Sequence, residues 1–341
     1  MSATSTASKN SHMSSRIRKA RAKYISAAFA NRSIVTLFRF ALLIGISFII
    51  IYPFIVKFTN SLMSPDDLLN KTVKYVPMMP TLDNYKYVIQ YGKYWEALRN
   101  TGLLSLFASF AQVFVCLLVG YGFAKFNFRF KKLFFALVIF TLIIPPQTIT
   151  ISLYMRFKFF DVLNLPFISE SVIHKTPGLI ELITGQTTNL IGSPASMLIM
   201  SMTGLGLRNG LFIFISRQFF TGVPDELIEA AYVDGSGVYY TFFKIMMPIS
   251  RPIMVTVFLL SFAWQWTDTL YTDLLLSGLN TLPHVLSSMT VVTGIGAKAG
   301  TIMSAVMQNT SVILIIIPIV IIYIFTQRLL IQGVERSGLV G

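Results

Sequence analysis

The sequence is poor in charge, in cysteine and in histidine. Charged residues make up 12% of its 341 residues, whereas 54% are hydrophobic and the mean hydropathy is +0.67. A soluble globular protein carries about 25% charged residues. One cysteine, Cys116, excludes a disulfide framework, and the scattered His12, His174 and His284 give no metal-ligand spacing. These shortages exclude a water-soluble enzyme, a disulfide scaffold and a disordered tail protein.

Motifs of nucleotide and nucleophile chemistry are also missing from the sequence. It contains no Gly-x-x-x-x-Gly-Lys-Ser/Thr phosphate loop, and Gly204, Gly206 and Gly210 have the wrong spacing for a dinucleotide-binding turn. One carboxylate, Asp268, lies near the ends of the long apolar stretches, and an ion-coupled pump would need more. We therefore expect no catalytic residue, no metal and no cofactor in this chain.

Long apolar runs dominate the chain. Six of them can each cover a hydrocarbon core of about 30 Å at about 1.5 Å per residue, the fifth only marginally. They predict an all-α membrane protein with six transmembrane helices, at 35–58, 102–124, 133–153, 195–220, 252–267 and 306–327. Pro145 and Pro146 should weaken span three, and the glycines of 204–210 should weaken span four. Such breaks are tolerated chiefly where a helix lines a cavity.

Lysine and arginine are distributed unevenly between these spans. If the N-terminus is cytoplasmic, the cytoplasmic segments hold 16 basic and 5 acidic residues, whereas the extracytoplasmic loops hold 9 of each. Because basic residues favour the cytoplasmic side, the pattern predicts a multi-pass protein of the cell membrane with both termini in the cytoplasm. The chain then divides into a basic segment (1–33), expected to meet anionic lipid rather than nucleic acid, a transmembrane domain (34–329) and a C-terminal tail (330–341).

The most specific pattern lies in loop 221–251, between spans four and five. Pro224 and the acids after it predict the start of a short helix, and Gly235 permits a sharp turn before a second helix over 238–246. Six large apolar side chains exceed what the adjoining helices can cover, which indicates a surface that docks on another protein. They are Tyr232, Tyr239, Phe242, Phe243, Met246 and Met247. A hairpin buried under the bundle is the alternative.

Loop 221–251 resembles the EAA loop of the integral membrane permeases of ABC importers. The matching positions are Glu229-Ala230-Ala231, Asp234-Gly235 and Ile245-Met246-Met247-Pro248. Further segments are similar to the carbohydrate-uptake branch, which includes the smaller maltose permease. These are Arg217-Gln218-Phe219-Phe220, Pro224-Asp225-Glu226-Leu227, Trp266-Thr267-Asp268, Gln327-Arg328 and Gly338-Leu339-Val340-Gly341. Thr267 departs from the asparagine that is common in that branch.

The resemblance implies that transport is divided among several subunits. The loop would be a coupling helix seated in a cleft of a cytoplasmic ATPase subunit, where Glu229 would face a basic residue and Gly235 would give the turn. ATP and Mg would bind to that ATPase and not to this chain. A second permease, usually a different one, a pair of ATPase subunits and an extracytoplasmic solute-binding protein would complete the transporter. The C-terminal tail would reach the ATPase dimer.

The expected substrate path is the seam between the two permeases. Its candidate residues in this chain are Arg208, Asn209, Trp264, Trp266 and Asp268. A guanidinium can bridge sugar hydroxyls or bind a carboxylate, and indole rings can stack on sugar rings. Arg208 has the alternative of capping a broken helix or snorkelling, and the tryptophans that of an interfacial belt.

These patterns favour the permease of a saccharide importer over three rivals. The rivals are an ABC permease for a non-sugar solute, a stand-alone secondary carrier and a six-span membrane enzyme. The enzyme would need a polar catalytic cluster at the membrane face, and the sequence contains none. A carrier would transport in the absence of ATP, which separates it from the favoured reading by experiment.

Overall fold

The structure is a computed structural model that describes residues 32, 34–64, 66–67, 70, 72–161, 179–288 and 297–338. Nearly all of the basic segment 1–33, the middle of loop 154–194 and the last three residues of the tail lie outside these ranges. Within them the chain is helical, without a β-strand, and has an isolated bridge between Phe160 and Thr188. The predicted all-α class is confirmed.

The chain forms two units, Met1–Asn60 and Ser61–Gly341. Helix α1 (Ile34–Ser61) belongs to the first unit apart from its last residue, and its 28 residues can span about 42 Å. The helices of the second unit, in chain order, are α2 (Asp83–Tyr91), α3 (Tyr94–Lys125), α4 (Lys131–Ile143), α5 (Pro146–Lys158), α6 (Leu179–Thr184), α7 (Pro194–Met202), α8 (Asn209–Thr221), α9 (Glu226–Val233), α10 (Val238–Ile249), α11 (Arg251–Thr267), α12 (Leu270–Leu275), α13 (Leu282–Ser288) and α14 (Ala297–Gly338).

The predicted count of six membrane spans is not confirmed. Among the described residues, three helices are long and apolar enough to cross a membrane by themselves: α1, α3 and the part of α14 over Met303–Arg328. Two bent pairs raise the number to five, α4 with α5 at 102° and α10 with α11 at 76°.

Two of the predicted spans are discontinuous, at the places where helix-weakening residues were noted. Span three ends at Ile143 and resumes at Pro146, because a proline lacks the N–H of a continuing helix and disfavours helical backbone in the residue before it. Span four is divided into α7 and α8 by the non-helical segment 203–208, hereafter the break. Gly204 in it has φ +79°. The sixth span and the tail form one helix as far as Gly338.

Helix α3 is the central helix of the second unit. One of its faces is buried from Tyr94 to Tyr121 and packs against α7, α8, α11 and α13. A Cβ at Gly120 would lie 2.6 Å from the Cβ of Ser216, and a Cβ at Gly210 would collide with the hydroxyl of Thr141. The backbones of α3 and α8, and of α8 and α4, therefore approach as closely as glycine permits, as is common between membrane helices.

A polar seam joins α3 to α11 inside this packing. The Ser261 hydroxyl lies 3.1 Å from the Ser109 hydroxyl and also bonds Oε1 of Gln112. The Gln112 amide nitrogen donates to the carbonyl of Leu207 at 3.3 Å. A backbone carbonyl of the break is thereby bonded from α3, as an interrupted helix in an apolar interior requires.

Helix α14 contains a proline, and two aromatic side chains donate to carbonyls beside it. Pro318 has no N–H for the carbonyl of Leu314, four residues earlier. The Tyr94 hydroxyl donates to that carbonyl at 3.0 Å, and the indole N–H of Trp266 donates to the carbonyl of Ile315 at 3.0 Å. These bonds tie α3 and α11 to α14.

Candidate functional site

Loop 221–251 folds into two helices with a glycine between them. Helix α9 begins at Glu226, one helical turn before Glu229, and ends at Val233. Gly235 has φ +79°, a backbone conformation that favours glycine, as the sequence predicted for the turn. The second helix, α10, includes a π-helical turn over Thr241–Met246.

The predicted end of that second helix before Pro248 is wrong. The helix continues through Ile249, because Pro248 stands in the first turn of the α-helical segment Met247–Ile249 that follows the π turn. A proline in a first turn loses no helical hydrogen bond. The bend comes at Ser250, between α10 and α11.

The loop has a buried apolar face and an exposed face. Ile228, Phe242 and Met246 pack with Tyr121 of α3 and Phe220 of α8, and the ring centroids of Tyr121 and Phe242 lie 5.1 Å apart. The prediction that all six large apolar side chains face a partner is therefore wrong for Phe242 and Met246, which are 2% and 0% exposed. Helical periodicity turns both residues toward the bundle.

The exposed face carries most of the motif residues. The exposed residues of the motif are Glu229, Ala230, Asp234, Gly235 and Pro248, whereas Ala231 is buried and Ile245 is half-buried. Large apolar side chains lie on the same exposed surface, with Tyr239 80% and Val233 86% exposed. The small residue that a partner backbone could approach is thus Ala230, because Ala231 faces the chain's own core.

The break positions the second group of candidate residues. Arg208 adopts a left-handed backbone conformation (φ 58°) immediately before α8 begins at Asn209. Its guanidinium carbon lies 5.5 Å from the centroid of the Trp264 ring, a cation–π distance. Arg208 and Trp264, 56 positions apart in the sequence, therefore meet because the break turns the chain just before α8.

A cavity of about 360 Å³ opens beside the break. Its lining residues come from both discontinuous spans and from α12: residues 141–146, 149, 204–206, 208–210 and 271. Asn209 is 2% exposed, and neither atom of its side-chain amide has a hydrogen-bond partner in the described part of the chain. Buried polar groups are normally bonded, so this amide offers a free donor and acceptor at the cavity wall.

Tyr271 adds a hydroxyl to the cavity lining beyond the end of α11, whereas the predicted path residue Asp268 is not among the lining residues. An Asp268 carboxylate oxygen accepts hydrogen bonds from the backbone N–H of Thr272 at 2.9 Å and from its hydroxyl at 3.2 Å. Burial nevertheless raises the pKa of Asp268. Burial also raises the pKa of the Tyr271 hydroxyl, and the Asp268 charge adds to this, whereas the Arg208 charge opposes it. Asp268 and Arg208 thus act in opposite directions on the pKa of the Tyr271 hydroxyl.

The structure separates Trp266 from the other substrate-path candidates. Its ring is 3% exposed and stacks on Phe262, and its N–H is bonded to α14. Tyr271 was missed because no local pattern distinguishes it from the other tyrosines after a span. Gln112 was missed because it lies within an apolar run and its importance depends on which segment packs against it.

The described residues form a discontinuous helical bundle that carries a two-faced loop. Residues 116–336 match the family described as the binding-protein-dependent transport system inner membrane component. The chain belongs to this family and is an ABC-importer permease.

Named relatives share most of their length with the chain. It is 26% identical over 299 residues to the arabinooligosaccharides transport system permease protein AraQ of Halalkalibacterium halodurans, covering 87% of this chain and 93% of AraQ. It is 24% identical over 304 residues to the sn-glycerol-3-phosphate transport system permease protein UgpE of Yersinia pestis, covering 87% and 94%. A bacterial ABC transporter that imports the acidic polysaccharide alginate shares the fold, with TM-score 0.63, 20% identity and coverage of 86% and 96%.

Proposed function

We propose that this chain forms half of the translocation pathway of an ATP-driven importer for a saccharide or oligosaccharide. The observation that carries the proposal is the two-faced loop 221–251, which is anchored to the bundle on one side and presents an acidic and apolar surface on the other. The saccharide cargo is supported by the relative that is named for arabinooligosaccharides, whereas the relative named for sn-glycerol-3-phosphate carries the alternative of a small non-sugar solute.

In this proposal, α9 seats on a separate ATPase subunit in the cytoplasm. Glu229 pairs there with a basic residue, Ala230 allows close approach, and the exposed Val233 and Tyr239 fill an apolar cleft. ATP and Mg bind to the ATPase. Both chain termini lie on the same cytoplasmic side as loop 221–251.

Transport follows from the movement of that loop. When ATP closes two ATPase subunits, the seated loops move with them, and this chain and a second, different permease rock between inward and outward openings. An extracytoplasmic solute-binding protein delivers the cargo to the outward opening. Because this chain lacks ATP-binding motifs, it supplies a path and a lever, and not the hydrolysis.

The cavity beside the break forms part of the substrate path in this proposal. The Arg208 guanidinium and the unpartnered Asn209 amide can bond sugar hydroxyls, and the Trp264 ring supports the guanidinium. Tyr271 adds a hydroxyl to the same wall. Asp268 is not among the residues that line the cavity, and the Trp266 ring is buried against Phe262 and α14.

Reconstitution into liposomes tests the function. The chain is combined with its second permease, ATPase and binding protein, and each component is left out in turn. We expect uptake of a labelled oligosaccharide only in the complete mixture with ATP, with neutral arabinooligosaccharide and acidic alginate oligosaccharide compared directly. Transport by this chain alone without ATP would instead identify a carrier. A solute-binding protein that binds only non-sugar solutes would contradict the proposal that the cargo is a saccharide.

Thiol labelling tests the orientation. The single native cysteine, Cys116, is fully buried, so single introduced cysteines can be read out individually. Tyr239→Cys places a thiol on loop 221–251, and Ser277→Cys places one beyond the other end of α11. An impermeant reagent applied to intact cells should label Ser277→Cys and should reach Tyr239→Cys only after permeabilisation.

A further inference from the structure

Lys125, the last residue of α3, is a cation with an almost completely buried side chain. That side chain is 7% exposed. Its ammonium nitrogen donates to the carbonyl of Val223 at 2.5 Å and to the carboxylate of Asp225 at 2.6 Å. Hydrogen bonds from a charged donor are short and directional. Lys125 therefore fixes the position at which the end of α3 meets the start of α9.

Asp225 is used for this contact and not for its own helix. An aspartate immediately before a helix ordinarily accepts a backbone N–H from the first turn with its side chain. The Asp225 carboxylate makes no such cap, although the Asp225 backbone carbonyl accepts from Ile228 at 2.9 Å and from Glu229 at 3.0 Å. The helix that carries Glu229 is thus attached to a cation of α3 through Asp225, the residue immediately before its first turn.

The remaining anchorage of the loop has a different character. Ile228, Phe242 and Met246 hold it through apolar packing around Tyr121. Such packing is non-directional and can slide, whereas a buried ammonium with two bonded oxygens specifies one geometry. In the proposed transport cycle, the directional contact at Lys125 would hold the loop in one register.

Helix α3 leads from Lys125 to the substrate-path candidates. Its buried face packs against α8 and α11, and Gln112 on that face bonds the Leu207 carbonyl within the break. A displacement applied at Lys125 therefore reaches the helix that supports the cavity wall. Cys116 and Gly120 lie on the same face between the two contacts, so the path runs through close packing.

We infer that Lys125 is a positioning residue that transmits movement of α9 into α3 and so links ATP hydrolysis to transport. The inference rests on the proposed seating of α9 on an ATPase. Lys125 itself touches neither nucleotide nor cargo in this scheme. Its function is to keep the start of α9 in register with the central helix of the bundle.

The test compares Lys125→Met with the matched control Lys132→Met in the complete transporter in liposomes. Lys132 is an exposed lysine at the start of α4. The readout is the amount of oligosaccharide imported per ATP hydrolysed, together with copurification of the ATPase. We expect Lys125→Met to lower this ratio about tenfold while the ATPase still copurifies, because the charge-assisted bonds that hold α9 to α3 are lost. Lys132→Met should leave the ratio unchanged, and Lys125→Arg should restore most of it.

A second variant keeps the test decisive if Lys125→Met folds poorly. Asp225→Asn changes a carboxylate that is 74% exposed, so the fold should survive, and the ratio should fall by a smaller factor. Because both changes affect one contact, the double variant should import no less oligosaccharide per ATP than Lys125→Met does.

Three outcomes would overturn the inference. If Lys125→Met imports as much oligosaccharide per ATP as a coupled wild type, the inference about Lys125 is rejected and the proposed function stands. The same conclusion follows if Lys125→Met lowers the yield of the complex but leaves that ratio unchanged. A wild-type chain that retains no ATPase would reject the proposed function together with the inference.

Discussion

In loop 221–251 the charged side chains face outward and Ile228, Phe242 and Met246 pack inward, whereas at the break polar side chains are buried. There the Asn209 amide is buried without a partner, and Gln112 reaches through the core to bond a backbone carbonyl. The loop is held by its two short helices and by the apolar packing of Ile228, Phe242 and Met246 against the bundle. The break receives polar support from α3, whose Gln112 is itself bonded by Ser261 of α11, because its backbone is interrupted inside an apolar bundle.

The difference between the two regions indicates how the work of transport is divided. In the proposed function, the amphipathic helices of loop 221–251 are suited to contact a moving partner protein. The cavity beside the break, which has unsatisfied polar atoms, is suited to bind and release a polar cargo. Changes on the loop should therefore abolish coupling, and changes at the break should alter the response to cargo.

The largest effect is expected for Glu229→Lys. Reversing one partner of an interfacial charge pair costs about 2–5 kcal/mol, so ATP-driven uptake should fall about 30-fold or more. The measurement is uptake together with copurification of the ATPase. Glu96→Lys makes the same charge change at an exposed site at the opposite end of α3 and should preserve both. Wild-type uptake by Glu229→Lys would count against the seating of α9.

The break is tested by Arg208→Met. If the guanidinium bonds the cargo, cargo-stimulated ATP hydrolysis should fall about tenfold or more, since bonds to a charged group contribute about 1.5–3 kcal/mol. ATPase copurification should remain normal, which distinguishes this variant from Glu229→Lys. Arg99→Met removes an exposed arginine of α3 and serves as the control. Unchanged stimulation in Arg208→Met would remove Arg208 from the substrate path.

A pair of glycines on α3 tests the packing that connects the two regions. In Gly120→Ala the new Cβ would lie 2.6 Å from the Cβ of Ser216 and 2.9 Å from the backbone nitrogen of Arg217. We expect a loss of about 1–3 kcal/mol, seen as a lower melting temperature in detergent. In Gly122→Ala nothing lies within 4 Å of the new Cβ. The stability of Gly122→Ala should be unchanged or higher by up to about 1 kcal/mol. Equal melting temperatures of Gly120→Ala and Gly122→Ala would contradict the close approach of α3 and α8.

The smallest effect is expected where Tyr94 supports α14. Tyr94→Phe removes the donor to the Leu314 carbonyl, which Pro318 deprives of its helical partner. Interhelical hydrogen bonds in membranes contribute about 0.6 kcal/mol on average and at most about 1.7 kcal/mol. The melting temperature should fall slightly, with the cargo response unchanged. Tyr91→Phe alters an exposed tyrosine and should have no effect.

Local patterns were sufficient for the order of helix, turn and helix in the loop, but not for the end of its second helix or for the number of spans. Pro224, the acids after it and Gly235 predicted a helix, a turn and a second helix, because start and turn signals act within a few residues. The number of spans was not predictable in the same way, because an apolar run has the same composition whether it is straight or bent. Pro145, Pro146 and Gly204 indicated weakness, but the 102° bend depends on packing.

The candidate site was predicted only in part, because local patterns identify unusual residues but not the residues that pack against them. Arg208 and Asn209 stand out in the sequence as polar residues within an apolar run, and both line the cavity. Trp264 and Trp266 could not be told apart by composition. Two positions along a helix correspond to about 200° of rotation, so one ring meets Arg208 and the other is buried against α14.

Hydrophobicity and turn chemistry are properties of neighbouring residues, so the helical, apolar character of the chain and the pattern of loop 221–251 could be predicted from local segments. The contact of Lys125 with Asp225, the support of the break by Gln112 and the unpaired amide of Asn209 at a cavity became visible only in the folded chain. Each of these joins residues about 95 to 100 positions apart or depends on what packs around them. A directional bond in an apolar interior forms only where the folded backbone brings its donor and acceptor together.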